Sequence, residues 1–297
     1  MTICAAAISQ SIDSPHCIIS VCDRKVSMAE LTAEGVAWKL QTVHAKWRAM
    51  FSGDNSSMIA LMDAVKAESA NAKGDNVRSF ARICSRAYRE ERERILESEV
   101  LAEHDVKSYA EYLELKKSDR DFFQALTDQI KEIEQKWNLL FFGFDSADRP
   151  HIFVITEYGK IQWCDAEGFA AIGSGAWGFW TALSRYGFNR YAPRGETMWG
   201  VLAAKFAAES AEGVGEETVF LISKHSDRLG DTIPGLVPDD IKQLRAKWKS
   251  LPRIPDGADK LMEGHLAGSE RTPPFKVSNP LRGYLRRSVP RKSKRER

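Results

Sequence analysis

No apolar run in the 297-residue chain is long enough to cross a bilayer as a helix, so no membrane-spanning helix is expected. The first such run, residues 3–8, has no basic leader and gives way to the polar stretch SQSIDSPH, so it does not read as a signal peptide. Cysteine is sparse and unpaired. Cys4, Cys17, Cys22, Cys84 and Cys164 are odd in number and form no C-x-x-C pair, which argues against a disulfide framework and a zinc knuckle. The six histidines show no metal-ligand spacing, so no metal site is expected. A cytoplasmic location is expected. Strong charge is also lacking, at +2 overall, but residues 281–297 carry eight Lys or Arg against one acid, leaving residues 1–280 at about −5. The basicity belongs to the tail, where no aromatic but Tyr284 is interleaved, so nucleic acid is not the expected partner.

At 43% hydrophobic content the chain can bury a substantial core. Residues 2–8 and 17–22 are short apolar runs joined by a polar loop with Asp13, Ser14 and Pro15, the pattern of a β-hairpin. A third strand is expected over 48–52. From Ser56 to about Trp137 the spacing turns helical, and over 120–137 Phe123, Leu126, Ile130, Ile133 and Trp137 recur at steps of three and four. Strands return at 138–145, 151–156 and 160–165 as a meander, followed by helices over 176–186 and 196–212 and a strand over 218–223. Trp163, Trp177, Trp180 and Trp199 read as core aromatics. Segregated strands and helices favour a layered α+β domain over a parallel doubly wound sheet. The body is placed at 1–230, with a proline-spaced extension at 231–297 and disorder expected over 278–297.

The residue with most chemical promise is Thr2. If Met1 is removed, it carries a hydroxyl nucleophile and an α-amine base on one residue. Such an amine titrates near pH 8 when unperturbed, and a neighbouring ammonium lowers that value while favouring the developing alkoxide. Lys39 is the candidate cation, with Asp23 at the end of the second strand as its counter-ion. Gly53, just past the third expected strand, is the candidate oxyanion donor through its backbone N–H. Gly173 to Gly178 also satisfies G-x-G-x-x-G, but no apolar strand ending in an acid follows the helix, so a nucleotide fold is disfavoured.

Thr2-Ile3, Asp23 with Ser27 four residues on, Lys39 sixteen after Asp23, Gly53 fourteen after Lys39, and the turn AAIGSGAW together resemble one group. It comprises the proteasome β subunits and the bacterial ATP-dependent peptidases of the heat-shock-locus V (ClpQ) type, within the N-terminal-nucleophile hydrolases. The resemblance covers about 1–96 and 137–226. It implies a four-layer αββα sandwich with a helical insertion at about 97–136, and a threonine-type peptidase with no cofactor. By position it makes Thr2 nucleophile and base, Asp23 and Lys39 the charge pair, and Ser174 the residue that orients the amine or the hydrolytic water. Gly53 would supply the oxyanion N–H, and the backbone at Ser27 and Gly53 would pair with an extended peptide. The implied partners are a peptide or unfolded protein substrate, further copies in a homo-oligomeric ring and an ATPase unfoldase.

One departure stands out. Where the group has a carboxylate and a serine three residues apart before the last strand, this chain has Glu212 and Gly215. Two alternatives therefore accompany the peptidase reading: an inactive module on the same fold, and a small-molecule amidohydrolase.

Overall fold

The computed structural model describes residues 2–11, 15–28, 31–33, 39–44, 46–70, 76–134, 137–224 and 236–251. The tail read as disordered, 278–297, lies outside the described residues. The chain opens with β1 (Cys4–Ser9) and β2 (Cys17–Asp23), followed by the short β3 (Val26–Met28) and β4 (Leu31–Ala33), then β5 (Leu40–His44) and β6 (Trp47–Ser52). Four helices come next: α1 (Asn55–Ser69), α2 (Val77–Leu96), α3 (Tyr109–Ser118) and α4 (Arg120–Glu134). The meander is β7 (Asn138–Phe144), β8 (Pro150–Thr156) and β9 (Lys160–Trp163), and β10 (Phe169–Ile172) follows. The rest comprises α5 (Ala176–Arg185), α6 (Arg194–Ala208), β11 (Thr218–Lys224) and α7 (Pro238–Lys249).

Among the described residues two antiparallel sheets result, ordered β10-β1-β2-β11 and β5-β6-β7-β8-β9, beside a separate antiparallel β3-β4 pair. Period-two alternation sorts their side chains into layers. Along β1, Cys4, Ala6 and Ile8 enter the core between the sheets, whereas Ile3, Ala5 and Ala7 face the layer of α5 and α6. Along β7, Leu140, Phe142 and Phe144 point between the sheets, and Leu139 and Phe141 point to α1 and α2. A sheet apolar on both faces must be covered on both, and the result is helix, sheet, sheet, helix. The fold is the αββα sandwich expected from the sequence. All five cysteines are buried and free.

The insertion is helical and belongs to the α1–α2 layer. Val100, Leu101, Val106, Tyr112, Leu126 and Ile130 share a core with Trp47, Phe80 and Phe153. Ser108 caps α3 by accepting the Glu111 N–H at 3.1 Å, and Asn76 caps α2 by accepting from Arg78 and Ser79. Helix α4 ends at Glu134, before Trp137, which nevertheless is buried in the same core. At the other end of the chain, α7 packs Ile241, Leu244 and Trp248 against the α5–α6 core.

Several readings need correction. The strand over 48–52 is the sixth, because β3, β4 and β5 are too short and too mixed in polarity to announce themselves. Phe51 sits on the face of β6 that turns to α1 and α2, and is buried in that core. Trp177 is 83% exposed in the first turn of α5, and Trp163 is 40% exposed on the edge strand β9, so neither is a core aromatic.

Candidate active site

The register of the sheets defines one end of the sandwich. Cys4 lies opposite Cys22 and Ile172, Asp23 lies opposite Thr218, and the Cys4 thiol donates to the Phe51 carbonyl of the facing sheet at 3.3 Å. The start of β1, the ends of β2, β6 and β10 and the start of β11 therefore meet there. Thr2, Asp23 and Lys39 occupy that end and are 5%, 0% and 6% exposed.

The hairpin ladder continues one step beyond β1, with Asp23 N–H donating to the Ile3 carbonyl at 3.1 Å. The Asp23 carboxylate returns the contact. Its Oδ1 accepts the Ile3 N–H at 2.9 Å, the Lys39 ammonium at 3.0 Å and the Thr2 hydroxyl, and its Oδ2 accepts the N–H groups of Lys25 at 3.1 Å and Gly215 at 3.3 Å. Lys39 Nζ also donates to Thr2 Oγ1. The threonine hydroxyl thus lies between an ammonium and a carboxylate that are themselves paired. Removing one member of such a buried pair leaves the other uncompensated, at a cost of about 3–5 kcal/mol.

A turn after β10 closes the site on its other side. Gly173 has φ 93°, and a Cβ there would overlap the Thr2 carbonyl oxygen and lie 2.7 Å from Thr2 Cγ2. Only glycine permits that approach. The Thr2 carbonyl accepts the Gly175 N–H at 3.1 Å, and the Thr2 backbone nitrogen donates to Ser174 Oγ at 3.2 Å. Ser174 is exposed and does not cap α5, since the N-cap position is Gly175 and no side chain bonds there. The G-x-G-x-x-G pattern therefore serves Thr2. After α5 the chain enters α6, and the next strand, β11, pairs antiparallel with β2, so no parallel crossover follows the glycines.

The remaining candidates are placed as follows. Gly53 directly follows β6, two residues past the Phe51 carbonyl that meets Cys4, with φ 140°. Ser27 lies in β3, opposite Thr32 of β4. Glu212 is exposed and reaches the site by its backbone, its carbonyl accepting from Ser174 Oγ at 3.5 Å. Gly215 also acts by its backbone, through the N–H on Asp23. Cys4 is a poor rival nucleophile: burial and the neighbouring Cys22 push its thiol well above the usual range. A cleft of about 250 Å³ begins at Gly173 and is lined by Asn138, Gln162, Cys164, Ala176 and Trp180.

Sequence reasoning passed over Lys205, whose ammonium supports Gly215 from beneath. Its signal is a lone lysine in the otherwise apolar run GVLAAKFAA.

No protein-family model and no curated protein sequence matches the chain. Solved structures do. The helical assembly of the Anbu complex from Pseudomonas aeruginosa matches with a TM-score of 0.59 at 12% identity, covering 93% of this chain and 100% of that one. Anbu, the ancestral beta-subunit, from Yersinia bercovieri gives 0.57 at 12%, covering 92% and 100%. Anbu from Hyphomicrobium sp. gives 0.54 at 15%, with the same coverage. What is shared is the fold. It is the proteasome-like, N-terminal-nucleophile type, as expected, but the neighbours correct the particular resemblance drawn from the sequence. They are Anbu proteins, a related but distinct group, rather than peptidases of the heat-shock-locus V type. The spacing of Thr2, Asp23, Lys39 and Gly53 follows from the geometry of the sandwich end, so it identifies the architecture without separating its branches.

Proposed function

We propose that the protein is a threonine-type peptidase whose nucleophile is Thr2, uncovered by removal of Met1. The observation that carries this reading is the buried contact of the Lys39 ammonium with both Thr2 Oγ1 and Asp23 Oδ1. A structural hydroxyl does not need a lysine brought out of water to meet it, and burying that charge is costly unless it is paired.

In this reading, loss of Met1 converts the Thr2 nitrogen, already 3.2 Å from Ser174 Oγ, into an amine. The amine takes the hydroxyl proton, directly or through a water held by Ser174, and Lys39 stabilises the alkoxide as it attacks the substrate carbonyl. The backbone N–H of Gly53 receives the oxyanion. As the tetrahedral intermediate collapses, the C–N bond breaks, the leaving amine takes the proton, and an ester to Thr2 Oγ1 remains. Water, deprotonated by the same amine, then cleaves that ester and restores the hydroxyl. Asp23 keeps Lys39 charged throughout.

A peptide substrate laid beside the β3–β4 pair and Gly53 would add main-chain hydrogen bonds, with the cleft beside Gly173 available to one of its side chains. A homo-oligomeric assembly is part of the proposal, supported by the helical assembly of the Anbu complex from Pseudomonas aeruginosa. The test pairs intact mass, which reads loss of Met1, with hydrolysis of fluorogenic peptides by wild type and Thr2→Ala. Hydrolysis by wild type alone is expected. Equal rates in the two proteins would refute the assignment.

A further inference from the structure

Lys205 lies in the last turn of α6 with no exposed surface, on a helix whose neighbouring side chains, Val201, Leu202, Ala204 and Phe206, form the core beneath the β1–β2 sheet. A cation in that layer is costly unless every donor is used. All three are. The ammonium donates to the Gly215 carbonyl at 2.8 Å, to the Glu216 carbonyl at 3.0 Å and to the Glu209 carboxylate one turn along α6. Burial lowers the lysine from its usual range, and the Glu209 charge opposes that shift.

A second cation completes the arrangement from another element. Arg245 of α7 donates to the same Glu209 carboxylate through Nη1 and to the Glu216 carbonyl through Nη2, at 2.6 Å for the latter. Its guanidinium lies over the Phe206 ring, 4.6 Å from the centroid. The turn before β11 is thereby held by its carbonyl oxygens from one side. On the other side Gly215 turns its N–H to Asp23 Oδ2. The approach is close, since a Cβ on Gly215 would lie 2.7 Å from Lys25 Cβ and 3.3 Å from Asp23 Oδ2.

We propose that Lys205 is a positioning residue for Asp23, and that Arg245 makes this positioning depend on the docking of α7. By fixing the carbonyls of Gly215 and Glu216, Lys205 aims the Gly215 N–H at Asp23 Oδ2, which leaves Oδ1 turned to Thr2 and Lys39. The departure noted in the sequence, a glycine in place of a hydroxyl residue, is then offset by a backbone donor held from below. The catalytic part of this inference rests on the peptidase reading above. The structural part does not.

The test uses the full-length chain with Lys205→Met, which keeps length and apolar character, and Arg245→Gln on the partly exposed helix. Two quantities are read: kcat and KM on a peptide that wild type cleaves, and amide hydrogen exchange of segment 213–217. For Lys205→Met, kcat is expected to fall about 10- to 100-fold with KM changed by less than about twofold, and exchange in 213–217 to quicken. Arg245→Gln is expected to move both quantities in the same direction by less. Unchanged kcat and exchange in a folded Lys205→Met protein would overturn the proposal. If that variant fails to fold, Arg245→Gln decides in the same way. A wild type that cleaves nothing defeats the peptidase reading, and exchange in 213–217 then still decides whether Lys205 positions the turn.

Discussion

The two ends of the sandwich each pair a basic group with carboxylate, one at the Thr2 end and two at the other, and they do so to different effect. At the Thr2 end, Asp23 and Lys39 are almost fully buried and enclose a hydroxyl between them. At the opposite end, reached where β7 turns into β8, His151 bridges Asp145 at 3.3 Å and Asp165 at 2.7 Å. There the carboxylates spend their remaining lone pairs on the turn itself. Asp145 accepts the N–H groups of Ala147 and Arg149, both at 2.9 Å, and the Arg149 side chain at 2.8 Å, while Asp165 accepts the Ile152 N–H at 2.8 Å. The far cluster holds a hairpin together and contains no nucleophile. The near cluster also holds backbone, through the N–H groups of Ile3, Lys25 and Gly215, but in addition delivers its lysine to a hydroxyl. A charged cluster suggests chemistry when the burial of its cation is left unexplained by local turn geometry.

The comparison can be broken most sharply at Lys39. Lys39→Met is expected to lower the rate of peptide hydrolysis by about 100- to 1000-fold, the scale on which a charge or donor aimed at a developing anion acts. A rate near wild type would place the two ends on the same structural footing. Next in size, Gly173→Ala is expected to cost about 1–3 kcal/mol of stability and to disable hydrolysis, because the new Cβ falls on the Thr2 carbonyl at a positive φ of 93°. Thermal unfolding and peptide hydrolysis read the two effects. Asp165→Asn at the far end is expected to lower the unfolding temperature modestly and to leave hydrolysis unchanged.

The smallest effect is one of pH. Burial alone would lower the His151 ring, but Asp165 and Asp145 outweigh it, so the folded value lies above 6.5. The stability it lends is complete below 6.5 and is lost as pH rises through the folded value. Burial likewise works to raise Asp145, but the Arg149 and Ala147 N–H groups, the Arg149 side chain and His151 hold it at about 2. Its contribution is present above 3.8 and is lost as pH falls through about 2. Unfolding temperatures measured across pH should therefore fall as pH rises above 6.5, and that alkaline-side slope should flatten in His151→Gln.

How much of this was legible in the sequence depends on which part of a residue does the work. The β1–β2 hairpin was readable because alternation writes a two-faced strand directly into residue order. Thr2 and Asp23 sit at the ends of those strands, whereas Lys39 and Ser174 adjoin β5 and β10, which residue order did not announce, and were reached through the spacing of the resemblance. Gly215 was not, because it acts through its N–H, and a search for a side-chain hydroxyl at that position finds only an absence. Lys205 was hidden for another reason: its partners are carbonyls ten and eleven residues ahead, brought within reach only when α6 packs under the sheet. The β3–β4 pair escaped because three-residue strands carry too little pattern. The particular relatives escaped as well, since one end-of-sandwich geometry serves more than one branch of the fold.

The central claim is that the Thr2 hydroxyl, activated by its own amine beside Lys39, is the nucleophile. An electrophile selective for a terminal amine next to a hydroxyl, applied to purified wild type and to Thr2→Ala and followed by peptide mapping, tests it most directly. A single adduct is expected on Thr2 in protein that has lost Met1, absent from Thr2→Ala and strongly slowed in Lys39→Met. An adduct elsewhere, or equal labelling of the Thr2→Ala protein, would contradict it.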